Sequence, residues 1–367
     1  MSWSWQEQAA FRARVRGCLL GGALGDALGH PVEQDSLAEI RRKHGPDGVV
    51  GPASDTDGRV GLVSDGTQMT LFTAEGLIRA AFRLDRKGFC DPVEVVLNAL
   101  LRWLETQNSP RPAPPDGVVR TGWLREQEWL YARRAPDSAC LSALETRRHP
   151  GPHDGSGAPG PVNPGSQGCG GVTRSAPFGI ACPPDRAFDL AVDCARLTHG
   201  HPAGYYSAGA FATIIAHLMA GESLRGAVLQ TLERVHGHPG HKEVADALQR
   251  ALDLANKGGP SPEKVESLGE GRVAQEALAI AVYCALAEPV SAAGALILAV
   301  NHGGDSGSTG SMCGSLVGVR HGDFGLPSDW LALLEGRGAV TELADDFATQ
   351  FMPGSRTPDW SARYPAC

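Results

Sequence analysis

Apolar residues recur at helical spacing along almost the whole chain, and stretches that alternate apolar and polar side chains are rare. A period of 3.6 residues indicates amphipathic helices, whereas strict alternation would indicate half-buried strands. We therefore predict an all-α protein. The predicted helices cover residues 5–28, 36–45, 65–84, 92–106, 121–133, 138–146, 185–198, 203–220, 223–235, 241–256, 273–287, 291–300, 308–319, 328–335 and 340–351.

Local signals mark two of these helix starts. Ser36 followed by Glu39 has the spacing of a capping box, in which each side chain bonds the backbone of the other residue. Asp91 followed by Pro92 places a capping residue directly before proline at the first helical position. Both signals predict where a helix begins, independently of the apolar pattern.

One segment, residues 147–168, is dense in glycine and proline (RRHPGPHDGSGAPGPVNPGSQG). Such a composition is typical of a flexible linker between two halves of a chain. The alternative is a surface loop beside a binding site. We favour the loop, because the helical pattern resumes directly after it.

Composition excludes several classes of protein. The 367 residues carry 33 basic and 41 acidic side chains, a net charge of −8, so a non-specific nucleic-acid partner is not expected. No apolar run reaches the roughly 18 residues of a membrane span, and the N-terminus lacks the apolar core of a signal peptide. We therefore expect a cytoplasmic protein without a membrane partner. The nine cysteines are scattered and none forms a C-x-x-C pair, so most should be buried thiols.

Five segments rich in glycine, hydroxyl or histidine side chains stand at the ends of predicted helices. They are GGALGDALGHPVE at 21–33, SDGTQMTL at 64–71, GCGGVTRSAPFGI at 168–180, THGHP at 198–202 and NHGGDSGSTGSMCG at 301–314. The small residues of the first segment are typical of a helix face that packs closely on another backbone or approaches a ligand.

Aspartate and hydroxyl residues occur together at two helix starts that are far apart in the chain. Ser64 and Asp65 open one helix, and Asp305 and Ser308 open another. One interpretation is N-capping, because these side chains accept hydrogen bonds from the first helical amides. The other is a hard-cation site, since carboxylate and hydroxyl oxygens are ligands of Mg²⁺ and Ca²⁺. In the second case the two starts could together form one metal site.

The glycines at 168, 170 and 171 could expose backbone N–H groups to an anion, and Arg174 could add positive charge. No Gly-Lys-Ser/Thr follows, so the segment is not a P-loop. The histidines of THGHP, His199 and His201, could serve as ligands or bases. They could equally cap the carbonyl groups of the preceding helix.

Taken in this order, the five segments resemble the ADP-ribosylglycohydrolase family over about residues 10–351. The resemblance implies one compact all-α domain, which agrees with the helical periodicity, and we predict a single domain over 1–367. It implies hydrolysis of the bond between the ribose of ADP-ribose and an acceptor such as arginine or serine. It also implies a metal centre, usually of two Mg²⁺ or Mn²⁺ ions.

The resemblance carries over to individual positions. It assigns metal binding to Ser64, Asp65, Asp305 and Ser308, and it matches the family's acidic residue after the first helix to Glu33. It places a further set of residues around an ADP-ribose pocket. That set is Gly168, Cys169, Gly170, Gly171, His199, Asn301 and Gly303.

The sequence departs from the family pattern at two positions. The second aspartate of each acidic motif is replaced, by Gly66 in the first and by Gly307 in the second. Because each loss removes a carboxylate, two close divalent ions would be under-neutralised. We therefore expect at most one Mg²⁺ or Mn²⁺ ion.

Two functions follow from these residues. The first is an ADP-ribosylglycohydrolase-like enzyme in which Glu33 or Asp65 is the catalytic carboxylate that positions or deprotonates water. Its partner would be an ADP-ribosylated substrate. The alternative is a catalytically impaired pseudo-hydrolase that binds ADP-ribose or a related nucleotide. The intact glycine-rich and Thr-His segments argue against a purely structural role.

Overall fold

The computed structural model describes residues 3–54, 57–117, 119–354 and 356–366. Helices make up 64% of this structure, about twice the usual share, and none of the described residues lies in a strand. One isolated antiparallel bridge joins Ser54 and Val60. The all-α prediction is confirmed.

The described α-helices, numbered in chain order, are α1 (Trp5–Gly29), α2 (Leu37–His44), α3 (Asp65–Lys87), α4 (Pro92–Asn108), α5 (Ser138–Thr146), α6 (Gly170–Thr173), α7 (Ala176–Ala181), α8 (Pro184–Ala195), α9 (Pro202–Met219), α10 (Leu224–His236), α11 (Lys242–Ala255), α12 (Pro262–Glu266), α13 (Ala274–Ala287), α14 (Ala292–Val300), α15 (Ser306–His321), α16 (Ser328–Leu333), α17 (Arg337–Phe351) and α18 (Trp360–Arg363). Short 3₁₀ turns lie at His30–Val32, Leu124–Glu126, Glu128–Leu130 and Asp323–Gly325.

The capping signals are realised as predicted. Ser36 and Glu39 form a reciprocal capping box at α2. Asp91 accepts hydrogen bonds from the amides of Val93 and Glu94 at the start of α4. The short helices α6, α7, α12 and α18 were not predicted, because four to six residues are too few to show a period.

The helix predicted over 121–133 is wrong. Two 3₁₀ turns take its place, and the carbonyl of Arg125 accepts a hydrogen bond from the Tyr131 hydroxyl at 2.9 Å. The Arg125 guanidinium is buried and donates to the Ala113 carbonyl at 2.6 Å. Side-chain hydrogen bonds therefore satisfy groups that a helix would have paired along its own backbone.

The core is built around helices that are buried on nearly every side. Almost all residues of α9 and α13 are buried, as expected for helices that are apolar around their whole circumference. The apolar core is continuous from α1 to α18. No helix among the described residues is long and apolar enough to span a membrane.

Helices α1 and α15 pack antiparallel, backbone against backbone, through glycines. A Cβ at Gly21 would lie 2.3 Å from the carbonyl oxygen of Gly314, and a Cβ at Gly314 would lie 1.9 Å from that of Gly21. Gly17 and Gly318 face each other in the same way. This packing brings the end of α1 beside the start of α15, so residues 26–33 meet residues 305–308.

The glycine- and proline-rich residues 147–168 contain no helix. They lie against the turn that precedes α9, where the amide of Gly160 donates to the carbonyl of Gly200 at 2.7 Å. His153 adds a contact to Asp193 on α8, with 2.9 Å between Nδ1 and Oδ1. The loop ends at Gly168, which lines a cavity at the end of α1.

Of the nine cysteines, eight lie within the described residues and none of these is in a disulfide. Six are buried, and Cys90 and Cys182 are half-buried. Cys367 lies outside the described residues.

Candidate active site

A cavity of about 460 Å³ opens where the end of α1 and the starts of α3, α5 and α15 meet the glycine-rich segment. Five carboxylates border it, and Arg272 is the cation among its lining residues. The lining comprises Asp26, Glu33, Gln34, Ser64, Asp65, Gly66, Met69, Ala135, Asp137, Ser138, Gly168, Cys169, Gly170, Thr173, Arg272, Asp305, Gly307 and Ser308. The acidic starts of α3 and α15, which are far apart in the chain, therefore lie at one cavity.

Asp26 is almost fully buried and accepts four hydrogen bonds, three of them at Oδ2. Its carboxylate accepts from the amide of Ser64 at 2.9 Å, from the Ser64 hydroxyl at 2.6 Å, and from both the amide and the hydroxyl of Thr67. Burial raises the pKa of Asp26, and these hydrogen bonds offset only part of that rise. Asp26 therefore orients Ser64 and Thr67. Sequence analysis missed it, although it is the one charged residue within GGALGDALG.

Asp65 and Asp305 each commit one oxygen to the protein. Oδ2 of Asp65 accepts from the amide of Asp137 at 3.0 Å, and Oδ1 of Asp305 accepts from the amide of Ser308 at 2.9 Å. Burial raises the pKa of Asp305 to about 6, and the charge of Glu33 adds to the shift. Burial and neighbouring carboxylates raise the pKa of Asp65 well above its ordinary value. Both carboxylates line the cavity, and the side chains of Ser308 and Cys169 also lie within hydrogen-bonding reach of Asp305.

The N-capping interpretation holds at both helix starts. The Ser64 hydroxyl accepts from the amide of Gly66 at 3.2 Å, and Asp305 is the cap of α15. Capping and cation binding do not compete here, because a cap uses one lone pair and leaves others free. The local signal was therefore compatible with both interpretations.

Asp137 is the second carboxylate that sequence analysis missed. It caps α5 by accepting from the amide of Ala139 at 2.7 Å. Its Oδ2 accepts from the amide of Gly170 at 3.2 Å and lies 2.9 Å from Nε2 of His199. Burial alone would raise the pKa of Asp137, but the hydrogen bonds from His199 and from the amides of Ala139 and Gly170 hold it well below its usual range. Its signal in the sequence is Asp after Pro136, directly before an apolar helical run.

His199 is fully buried and is not among the cavity-lining residues. Its ring lies behind Asp137, between that carboxylate and the hydroxyl of Thr198, which is 2.7 Å from Nδ1. Any influence of His199 on the cavity therefore passes through Asp137.

The glycines of the glycine-rich segment make room for the Asp137–His199 pair. A Cβ at Gly170 would lie 2.7 Å from Asp137 Oδ2 and from Cys140 Sγ, and one at Gly171 would lie 3.2 Å from His199 Nδ1. Gly170 has already donated its amide to Asp137. Gly168, Cys169 and Gly170 border the cavity, whereas Gly171 is not among its lining residues.

Asn301 and Gly303 lie outside the cavity lining. The Asn301 side chain bonds both the amide and the carbonyl of Val49, each at 2.8 Å, and so holds that loop in place. The amide of Gly303 donates to Glu266 at 3.1 Å. The structure gives both residues contacts with other segments of the chain.

A model of the family described as ADP-ribosylglycohydrolase matches residues 7–356, nearly the whole chain. This chain belongs to the ADP-ribosylglycohydrolase family. The resemblance found in the sequence is confirmed, and the family is one of hydrolases that are typically metal-dependent.

Relatives and solved structures agree with that assignment. An uncharacterized protein of Archaeoglobus fulgidus is 27% identical over 337 residues, covering 90% of this chain and 94% of the relative. The ADP-ribosyl-[dinitrogen reductase] glycohydrolase of Rhodospirillum rubrum is 25% identical over 325 residues, covering 88% and 90% of the two chains. A solved ADP-ribosylglycohydrolase-related protein complex has the same fold, with a TM-score of 0.63, 24% identity, and coverage of 94% of this chain and 100% of that chain.

Both glycines that depart from the ADP-ribosylglycohydrolase pattern line the cavity. A Cβ at Gly307 would lie 2.9 Å from Glu33 Oε2 and 3.7 Å from oxygens of Asp26 and Asp305. At Gly66 a Cβ would meet the Thr173 methyl at 3.1 Å. A carboxylate restored at position 307 would therefore join three others.

Among the described residues, Asp137, Cys140 and His199 are the one group of His, Cys, Asp or Glu side chains whose ligand atoms all lie within 4.8 Å of one another. The carboxylates of Glu33, Asp65 and Asp305 line the cavity at wider spacing. Arg174 donates to Cys140 Sγ at 3.3 Å, and burial raises the pKa of that thiol. A protonated thiol beside a guanidinium is a poor metal ligand, because the thiolate is the form that binds. The oxygen-rich cavity fits a hard cation better.

Proposed function

We propose that the cavity is the active site of an ADP-ribosyl hydrolase that uses one divalent cation, Mg²⁺ or Mn²⁺. The observation that carries the proposal is the convergence of Glu33, Asp65 and Asp305 on one cavity from three separate segments. Each offers an oxygen, and the hydroxyls of Ser64 and Ser308 lie on the same wall. Carboxylate and hydroxyl oxygens are the donor set that Mg²⁺ prefers.

The hydrogen bonds of the other two carboxylates favour one ion over two. Asp26 is engaged by Ser64 and Thr67, and Asp137 by His199, Gly170 and Ala139. Three carboxylates remain free to bind directly. Their combined negative charge is larger than the charge of one divalent cation and smaller than the charge of two.

The chain's own residues have distinct tasks in such a reaction. A bound cation would polarise the ribose hydroxyls and relieve the repulsion among the carboxylates. Glu33 would position a water molecule and accept its proton as the bond to the acceptor breaks through an oxocarbenium-like transition state. His30 Nδ1 lies 3.3 Å from Glu33 Oε1, which leaves Oε2 directed toward the position of Gly307. Arg272, at the cavity wall, would meet the negatively charged diphosphate.

The experiment combines calorimetry and turnover. The purified protein should bind one Mg²⁺ and release ADP-ribose from an ADP-ribosylated arginine or serine peptide. Glu33→Gln should abolish release while ADP-ribose still raises the melting temperature, because the amide keeps the size but not the basicity of the carboxylate. Glu233→Gln, on exposed α10, is the matched control and should behave as wild type.

The alternative function is an ADP-ribose-binding protein that does not hydrolyse. Its support is the glycine at both second motif positions, Gly66 and Gly307, where two carboxylates are missing. Under this alternative, wild type and Glu33→Gln both bind ADP-ribose, and neither releases it from any acceptor. Binding of two Mg²⁺ ions by wild type would contradict the one-ion proposal.

A further inference from the structure

Arg174 is a buried cation with no carboxylate partner among the described residues. Its side chain is 1% exposed, and its guanidinium donates to the carbonyls of Gly170 at 3.0 Å and Cys194 at 3.1 Å. Its shortest contact, 2.7 Å, goes to the hydroxyl of Thr198. A guanidinium can only donate hydrogen bonds and stays charged inside proteins. The Thr198 oxygen is therefore an acceptor in this contact.

The direction of the next hydrogen bond depends on where the single proton of the Thr198 hydroxyl points. That oxygen lies 2.7 Å from His199 Nδ1 and 3.3 Å from the carbonyl oxygen of Ala195. On the other side of the ring, Nε2 faces the Asp137 carboxylate at 2.9 Å and so carries a proton, which in a neutral ring leaves Nδ1 to accept from the Thr198 hydroxyl.

The Nε2 proton has one partner. Asp137 Oδ2 lies 2.9 Å away, and the same carboxylate accepts from the amides of Gly170 and Ala139. The hydrogen-bond partners of the Asp137 carboxylate among the described residues are thus all donors. We infer that Arg174, through Thr198, sets the Nε2–H tautomer of His199 and so keeps the Asp137 carboxylate an acceptor oriented on the cavity wall.

Arg174 and Thr198 are positioning residues, since neither lines the cavity and both act through His199 and Asp137. Two contacts of 2.7 Å, both made by the Thr198 hydroxyl, link the Arg174 guanidinium to the His199 ring. The GCGGVTR and THGHP segments therefore act as one unit. The inference rests on the proposed function only in taking this cavity as the reaction site.

The test is the ¹⁵N spectrum of histidine-labelled protein, free of metal and ligand, at pH 7. His199 is assigned by its loss in His199→Gln. We expect a neutral ring with a protonated Nε2 and a hydrogen-bonded Nδ1 in wild type. In Arg174→Met the Thr198 hydroxyl is free to turn to the carbonyl of Ala195, so the Nδ1 resonance should move toward that of a ring nitrogen without a hydrogen bond. Arg174→Lys keeps the charge and a donor and should retain the wild-type tautomer.

Thr198→Val is the second variant, because Arg174→Met leaves a void and can fail to fold. It should shift the Nδ1 resonance to the value of a ring nitrogen without a hydrogen bond, whereas Thr198→Ser should leave it unchanged. An imidazolium or an Nδ1–H ring in wild type would overturn the inference. The inference would also be overturned if the Nδ1 resonance of Thr198→Val were the same as that of wild type.

A turnover measurement then connects the tautomer to the site. Thr198→Val should lower kcat for ADP-ribosyl release about tenfold or more with little change in KM, as for loss of a partner that orients a catalytic group. The spectra need no substrate, so the inference about the tautomer and the proposed hydrolase function are tested separately. A protein that hydrolyses nothing but shows the expected spectra refutes the enzyme proposal alone, and an active enzyme with the wrong tautomer refutes this inference alone.

Discussion

Gly25 and Gly310 touch backbone to backbone: a Cβ at Gly25 would lie 1.9 Å from the carbonyl oxygen of Gly310. The contact is one step in the glycine-lined packing of α1 on α15. Asp26 follows directly after Gly25, and Asp305 opens α15. The same close approach that packs α1 on α15 therefore places a carboxylate from each helix end on one cavity.

Gly25→Ala should be strongly destabilising. The added methyl group cannot be accommodated by a side-chain shift, because the atom it meets belongs to the backbone, so the helices must separate. We expect a loss of about 3 kcal/mol in the free energy of unfolding, measured by urea titration, together with weaker Mg²⁺ binding. Gly338→Ala, on α17 with open space around it, is the control and should be neutral or slightly stabilising.

Gly66→Asp combined with Gly307→Asp should raise the affinity for Mg²⁺ and admit a second ion. Each substitution adds a carboxylate to the cavity, and the clash at position 307 is with the movable end of Glu33. We expect at least a tenfold tighter first ion by calorimetry, which corresponds to about 1.4 kcal/mol. The double Asn variant has the same size without the charge. If it binds Mg²⁺ as tightly as the double Asp variant, added carboxylate charge is not what the site lacks.

Arg272→Gln should weaken ADP-ribose binding about tenfold. Among the residues that line the cavity, Arg272 is the cation, and its guanidinium is paired with an exposed carboxylate, Glu270, at 3.1 Å. A charge-assisted hydrogen bond to a phosphate would be lost in the variant. The shift of the melting temperature at fixed ADP-ribose reports the change. Arg250→Gln, on the exposed face of α11, should bind as wild type; equal loss in both variants would indicate a general charge effect.

His302 should make the metal-free protein less stable as the pH falls below neutral. Burial lowers its pKa from 6.5 to about 4, and its Nδ1 has no hydrogen-bond partner among the described residues. Between pH 6.5 and about 4 the unfolded chain binds a proton at His302 that the folded chain does not. The contribution of His302 to the free energy of unfolding is therefore complete above pH 6.5 and is lost as the pH falls toward 4.

From pH 7 to pH 5 this group alone should remove about 2 kcal/mol from the free energy of unfolding. The measurement is urea unfolding in the presence of a chelator. Other groups titrate in the same interval, so the quantity of interest is the difference between wild type and His302→Gln. A pH dependence that is identical in both proteins would show that His302 binds a proton as readily in the folded chain as in the unfolded chain.

Glu75→Ala should cost about 3–5 kcal/mol of stability. The carboxylate is fully buried and pairs with Arg79 at 2.7 Å and Arg102 at 2.8 Å, both also buried. Burial would raise the pKa of Glu75, but the two guanidiniums outweigh it and lower it. The alanine variant leaves two buried cations unpaired. Asp246→Ala removes the exposed partner of Lys242 and should change stability by less than about 1 kcal/mol.

The sequence could predict what depends on neighbouring residues. Helical periodicity, the capping box at Ser36 and the proline start at α4 are local patterns, and the structure has them where they were expected. The helix prediction for 121–133 failed because buried Arg125 donates to Ala113 outside the segment and its carbonyl accepts from the Tyr131 hydroxyl, contacts that no local period reveals. The order of the motifs was also informative, because members of a family keep these residues at corresponding places along the chain.

The candidate site was only partly predictable. Glu33, Asp65 and Asp305 could be named from their motifs, because each stands beside a recognisable helix end. Asp26 and Asp137 could not, since their importance comes from partners 38 and 62 residues away, Ser64 and His199. The glycines at 168–171 were expected to cradle an anion. In the structure they leave space for the Asp137–His199 pair, a reason that appears only when both side chains are in place.

By itself, then, the sequence determined the all-α class, the family, the helix caps and three of the five carboxylates, because these follow from spacing along the chain. Tertiary structure decided which oxygens remain free for a ligand. That outcome depends on how closely α1 and α15 approach through their glycines and on which amides and hydroxyls reach Asp26 and Asp137 first. A hydrogen-bond acceptor satisfied by the fold is no longer available to a cation, and only the packed chain shows which acceptors are satisfied.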